Sequence, residues 1–110
     1  MRDRFPLVSI IIVNLDGGRV FEDCLKSLVK IDYENWELIV VDNGSKDGSQ
    51  MLPSNFKFQI PNSKLIQNDK NAGFARANNQ GFKKSNGRYI LLLNNDTKVT
   101  TGFLKYLVSR

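Results

Sequence analysis

Short apolar runs alternate with amphipathic stretches along this chain. Leu7 to Val13 is rich in β-branched residues and predicts a first strand. Asp16-Gly17-Gly18 predicts a loop, and Arg19 to Lys30 carries Val20, Cys24, Leu25, Leu28 and Val29 at helical spacing. Trp36 to Val41 predicts a second strand, followed by a polar turn over 43–48 and a short helix over 47–52. In the next stretch, Phe56, Phe58 and Ile60 alternate, which suggests a short extended piece. Lys64 to Gln67 predicts a third strand. Ala72 to Ser85 predicts a helix with Phe74, Ala77, Asn78, Gly81 and Phe82 on one stripe, closed by Gly87 as a left-handed cap. Tyr89 to Leu93 predicts a fourth strand, continuously apolar as if covered on both faces. A last helix starts near Thr101. The β-α-β-α-β-α-β order implies an α/β fold: a Rossmann-like parallel sheet with flanking helices, in a single domain over 1–110.

Polar residues collect where three of the strands end. The first ends in Asn14-Leu15-Asp16, the second in Asp42-Asn43-Gly44-Ser45, the fourth in Asn94-Asn95-Asp96-Thr97. In a parallel sheet these ends share one side, where ligands of open α/β sheets bind. Asp42 can accept from a nucleobase N–H or from ribose hydroxyls; alternatively, Asp42, Asn43 and Ser45 only cap the following turn. Gly44 allows close approach of a ligand. Asp96 can hold Mg²⁺ or Mn²⁺, with phosphate oxygens and water completing the shell; alternatively, it is an N-cap or turn aspartate. Gly73 and Arg76 lie at the start of the third helix, whose N-terminus favours anions; Arg76 is either a phosphate partner or a surface arginine. Asn78 and Asn79 are unfavourable inside a helix and suggest bonds to neighbouring loops.

Composition narrows the chemistry. The chain has 110 residues and no histidine, which removes imidazole catalysis and His-ligated zinc. Cys24 is the only cysteine, so an intrachain disulfide is excluded and a buried structural thiol is expected. The net charge of +5 favours anionic ligands. The basic residues are scattered without interleaved aromatics, so no nucleic-acid partner is expected. No apolar run approaches the ~18 residues of a membrane span. The start, Met1-Arg2-Asp3-Arg4, shows no signal-peptide pattern, and a cytoplasmic location is expected. Neither a G-x-G-x-x-G after the first strand nor a Walker sequence is present.

Taken together, four blocks resemble the inverting family 2 glycosyltransferases of the GT-A fold. They are Val8 to Asn14, Glu37 to Ser49, Asn71-Ala72-Gly73-Phe74 with Asn78-Asn79-Gln80-Gly81, and Leu93-Asn94-Asn95-Asp96-Thr97. The last two resemble the rhamnosyltransferase-like branch. The resemblance implies a UDP-, dTDP- or GDP-sugar donor and an acceptor glycan or lipid-linked sugar, in cell-surface polysaccharide or glycolipid synthesis. It implies nucleoside contacts at Asp42 and around Asn14 and Asp16, and a metal-holding DXD-like motif in which Asn94 replaces the first acidic residue. Asp96 is then the motif's only carboxylate. Nucleotide contacts are expected from Asn14, Asp16, Asp42, Asn43, Gly44, Gly73, Arg76 and Asn95. The general base and acceptor half are expected beyond Arg110, which makes this chain the donor-binding half of an enzyme that is inactive alone. Peripheral attachment of a full-length protein to the inner face of the membrane is also implied. A signalling receiver domain, or a non-catalytic nucleotide-binding module, is the alternative; the former should show an acidic pair after its first strand, where only Asp16 stands.

Overall fold

The computed structural model describes residues 5–109. The basic segment 1–4 lies outside the described residues. Four strands form one parallel sheet: β1 (Val8–Asn14), β2 (Trp36–Asp42), β3 (Ser63–Gln67) and β4 (Tyr89–Asn94), in the order β3-β2-β1-β4. The connecting helices are α1 (Gly18–Val29), α2 (Leu52–Asn55) after a 3-10 turn at Ser49–Met51, α3 (Phe74–Lys84) and the C-terminal α4 (Phe103–Val108).

Strand alternation divides the core into two layers. Val8, Ile10, Ile12, Leu38 and Val40 face α1, whose Phe21, Cys24, Leu25 and Leu28 complete the main cluster with Leu104 of α4. Ile11 and Val41 face α3, close to Gly81; a methyl group on Gly81 would lie 2.6 Å from Ile11. The central strands β1 and β2 are therefore covered on both faces, which explains their unbroken apolar sequences.

Several expectations need correction. On α1, Cys24, Leu25 and Leu28 are buried as expected, but Val20 and Val29 are exposed and Phe21 completes the stripe. Phe21 is buried at i, i+3, i+4, i+7 spacing with Cys24, Leu25 and Leu28, while Val20 is 52% exposed at the margin. β4 is an edge strand and is not covered on both faces. Leu91 and Leu93 pack on the α1-side cluster, but α3 sits over β1 and β2 and leaves Leu92 56% exposed. On α3 only Ala77 and Gly81 are buried, and Phe74 and Phe82 face outward. Residues 56–60 are not extended. The Phe56 N–H donates to Leu52 and the Ile60 N–H to Phe56, so Phe56 and Ile60 reach the core at i, i+4 spacing while Phe58 points to solvent. The short helix after β2 starts later than expected, at Ser49.

Gly87 is not a left-handed cap; α3 ends in extended backbone at Ser85. The position needs glycine for closeness instead, since a Cβ there would lie 2.5 Å from Ser9 Oγ and 2.6 Å from Ser9 N. The Gly87 N–H donates to Ser9 Oγ, and Ser9 Oγ donates to the buried Glu37 carboxylate, which also accepts from the Asn86 N–H and pairs with Lys64. Burial alone would raise the Glu37 pKa; these donors and Lys64 outweigh it and hold the carboxyl below its ordinary value. This cluster anchors the entry to β4 at the end of the sheet away from the polar strand ends.

Candidate functional site

The register brings the polar strand ends together. Asn14 pairs with Asp42 across β1 and β2, and Val13 pairs with Asn94 across β1 and β4. A cleft of about 350 Å³ opens between them. Its walls are Val13 of β1 with Leu15 just after it, Asn43 after β2, Asn71 before α3 and Phe74 at its start, and Asn94 at the end of β4 with Asn95 and Asp96 after it.

Beneath the cleft lies a hydrogen-bonded hub built on Asn14, which is fully buried. Its Nδ2 is within hydrogen-bonding distance of Asp42 Oδ1 (3.0 Å), Ser49 Oγ (2.9 Å) and Ser45 Oγ (3.2 Å). Its Oδ1 accepts from the Gly17 N–H and from Asn95 Nδ2. Asp42 is equally buried. Its Oδ2 accepts from the backbone N–H groups of Gly44 and Ser45 and from Gln67 Nε2. Its Oδ1 accepts from Ser45 Oγ as well as from Asn14. Burial by itself would raise the Asp42 pKa, but donors from Ser45, Gln67 and Asn14 overcome it and hold the carboxyl below its ordinary value.

Asn43 fastens β2 to the loop before α3. Its Oδ1 accepts from the Ala72 N–H and Asn68 Nδ2, and its Nδ2 donates to Asn71 Oδ1 and the Gly73 carbonyl. Asn68 and Gln80 exchange two amide hydrogen bonds, which ties that loop to α3. Gly44 adopts φ +88°, and a Cβ there would lie 2.8 Å from Lys70 Cα; its closeness is to protein backbone. Asp16 Oδ1 accepts from the Lys46 N–H and joins the loops after β1 and β2.

The sequence matches the family described as Glycosyl transferase family 2 over residues 9–110. The chain belongs to that family. It is 33% identical, over 90 residues, to the UDP-Glc:alpha-D-GlcNAc-diphosphoundecaprenol beta-1,3-glucosyltransferase WfgD of Escherichia coli, covering 82% of this chain and 35% of that protein. The S. aureus TarS 1-349 structure in complex with UDP-GlcNAc superposes with a TM-score of 0.87 at 24% identity, over 93% of this chain and 30% of that one. The mannosyltransferase PcManGT from Pyrobaculum calidifontis, in complex with GDP-Man and Mn²⁺, gives a TM-score of 0.76 at 23% identity, over 83% and 28% of the two chains. The fold is thus that of these glycosyltransferases. The chain spans about a third of the length of the curated relatives it matches. Family membership removes the ground for the receiver-domain alternative.

For a family 2 glycosyltransferase chain, the donor set of the cleft is sparse in charge. Among the described residues no three His, Cys, Asp or Glu side chains cluster as a metal site. Asp96 is the one carboxylate of the cleft lining; it is exposed and makes no hydrogen bond or ion pair among the described residues. One carboxylate with neutral oxygens suits a cation held mainly by phosphate oxygens and water, as Mg²⁺ and Mn²⁺ often are. It does not suit a protein-only cage. Behind this turn, Cys24 Sγ lies 4.0 Å from the Asn94 carbonyl. Burial, with the Asp96 charge nearby, pushes its thiol up to about 11, so it is unreactive packing.

The structure therefore sorts the candidate residues. Asn43, Asn95 and Asp96 line the cleft directly. Asn14, Asp16, Asp42 and Gly44 shape it from behind through the bonds above. Gly73, at φ +89°, bends the backbone into α3 and has open space beside it. Arg76 is exposed on α3 and is not among the lining residues. Gln80, rather than Asn78 or Asn79, makes the bond to a neighbouring loop. Leu15, Asn71 and Phe74 were not picked out for the lining; position at a strand end marked Leu15, and the family-like block 71–74 marked Asn71 and Phe74.

Proposed function

We propose that this chain binds the nucleotide-sugar donor of a glycosyltransferase, as a single donor-binding domain over 1–110. The observation that carries this reading is the convergence of three parallel strand ends on one cleft, with a carboxylate at its rim that has no partner among the described residues. The nucleotide-sugar complexes of TarS and PcManGT, which share the fold, support it. On this reading Asp96 holds Mg²⁺ or Mn²⁺ against the donor diphosphate, with Asn95 beside it facing the donor. The bound cation would offset charge on the leaving nucleoside diphosphate. Asn43, Asn71 and Phe74 line the cleft from the loop after β2 and the start of α3.

The transfer reaction belongs to the whole family protein, of which this chain spans about a third of the length of its relatives. We assign it inverting transfer to a hydroxyl of a glycan or lipid-linked sugar, with a carboxylate outside this chain deprotonating the acceptor. WfgD, named for a diphosphoundecaprenol-linked acceptor, supports the lipid-linked option.

Calorimetry of the folded chain with UDP, dTDP and GDP, each with and without Mn²⁺, tests the donor site. Binding of at least one diphosphate, strengthened by Mn²⁺, is expected. Absence of heat with all three would overturn the proposal.

A further inference from the structure

The Asn14 hub has a directional consequence for the cleft. A carboxylate only accepts hydrogen bonds, and a backbone N–H only donates. The Asn14 amide lies between one of each. Asp42 Oδ1 stands 3.0 Å from one end of the amide, and the Gly17 N–H stands 3.2 Å from the other. These two fixed groups decide which end is nitrogen: Nδ2 faces Asp42 and Oδ1 faces Gly17. The serines agree, since Ser49 Oγ gives its proton to Asp47 and Ser45 Oγ gives its proton to Asp42, which leaves both free to accept from Asn14. Asn95 meets Asn14 at the Oδ1 end, at 3.0 Å. Only the NH₂ of Asn95 can answer an oxygen there. Its own carbonyl oxygen is therefore turned away from the hub, on a residue that lines the cleft beside Asp96.

We propose that Asn14 is a positioning residue that sets the hydrogen-bond polarity of the cleft through Asn95. By accepting one Asn95 amide proton it holds Asn95 Oδ1 away from the hub, so this point of the wall offers an acceptor to a ligand. A ligand hydroxyl suits the acceptor held there. The lock reaches back to the ionised Asp42, so the charge buried under β2 governs the chemistry offered at the end of β4. Gly17 is part of the device. A Cβ there would lie 2.4 Å from Asn14 Oδ1 and 2.6 Å from Asn95 Nδ2, so any side chain would drive the two amides apart.

The ligand side of this inference rests on the donor-binding reading; the lock itself does not. The lock is tested in the ligand-free chain by NMR. Side-chain NH₂ protons of Asn95 should show nuclear Overhauser contacts to Gly17 Hα and slowed solvent exchange. If those contacts are absent while the backbone signals show a folded chain, the lock is wrong. Its consequence is tested by comparing UDP with its 2′,3′-dideoxy analogue. The chain should prefer UDP about tenfold, the effect of one hydrogen bond. Asn14→Ala should weaken UDP binding and reduce that preference towards onefold, because Asn95 can then turn. Asn14→Asp keeps the acceptor that faces Asn95 and Gly17, with one proton shared between the two carboxylates, and should keep the preference. A structural role alone would lower affinity for both ligands equally in both variants, and that result would overturn the proposal. If neither ligand binds the unmodified chain but the Overhauser contacts are present, the donor-binding reading fails and the lock stands.

Discussion

Asp42 and Asp96 occupy matching places, each at or just past the carboxyl end of a parallel strand, yet their surroundings are opposite. Asp42 ends a central strand and is fully buried; both of its oxygens are taken by protein donors. Asp96 follows an edge strand, is exposed and has no partner among the described residues. The difference lies in sheet position. A strand with neighbours on both sides surrounds its terminal carboxylate with the loops of those neighbours. An edge strand leaves its terminal carboxylate facing solvent on one side, where a ligand can use it. In this chain an aspartate after an apolar run is enclosed or open according to its place in the strand order.

The sharpest way to break this comparison is to remove each carboxylate. Asp42→Ala leaves the Gly44 and Ser45 N–H groups and two side-chain amides without their acceptor, and should cost about 3–5 kcal/mol. Asp96→Ala should change stability by less than about 0.5 kcal/mol. Urea unfolding followed by circular dichroism measures both. Equal costs would mean that the contrast between buried and exposed carboxylates is wrong.

Acid should separate the two next. The folded pKa of Asp42 lies below its ordinary 3.8, so its stabilising effect is fully present above that value. It is lost as pH falls through the lower folded value. Glu37 behaves in the same sense from its ordinary 4.5. Unfolding free energy should therefore stay level down to about pH 5 and fall below it. Asp42→Asn, which keeps one acceptor oxygen, should start about 1–2 kcal/mol lower at neutral pH and show a shallower acid limb. An unchanged acid limb would assign the acid sensitivity to Glu37 alone.

How far this contrast was legible in the sequence depends on what each residue's role requires. The strand-helix order was legible because β-branched runs and helical spacing are local signals. The three polar strand ends were legible as a group because parallel order places them on one side. The division of labour between Asp42 and Asp96 was not, because it depends on strand order, and nothing in Tyr89 to Leu93 distinguishes an edge from a centre. Gly87 shows the same limit. Asn-Gly suggested a left-handed backbone, whereas the actual demand is contact with Ser9, a residue 78 positions away in sequence. Asn14 was recognisable as a strand-end polar group, but its function as a hub needs Ser49 and Asn95, which only the folded register supplies.

A smaller effect concerns the ligand. If Asp96 is the protein's hold on the cation, Asp96→Ala should remove the strengthening of UDP binding by Mn²⁺, a loss of about tenfold, while metal-free binding stays the same. Calorimetry with and without Mn²⁺ measures this. Retained Mn²⁺ dependence would move the cation to other oxygens of the cleft, and Asp96 would lose its distinction from Asp42 as the ligand-facing carboxylate.

The smallest expected effect isolates the edge itself. Leu92 and Leu93 are neighbours on β4 but point to opposite faces. Leu93 packs against the α1-side core, and Leu92 lies on the α3 side, where α3 does not reach β4. Leu93→Thr should cost about 1–2 kcal/mol through lost apolar burial and a hydroxyl placed against the core. Leu92→Thr gives up little burial and keeps a β-branched side chain suited to a strand, so it should stay within about 0.5 kcal/mol of the parent. Thermal and urea unfolding of the pair measure the difference directly. If Leu92→Thr proved as costly as Leu93→Thr, β4 would have to be covered on both faces in solution. The exposure of Asp96 at its end would then need another explanation than an open sheet edge.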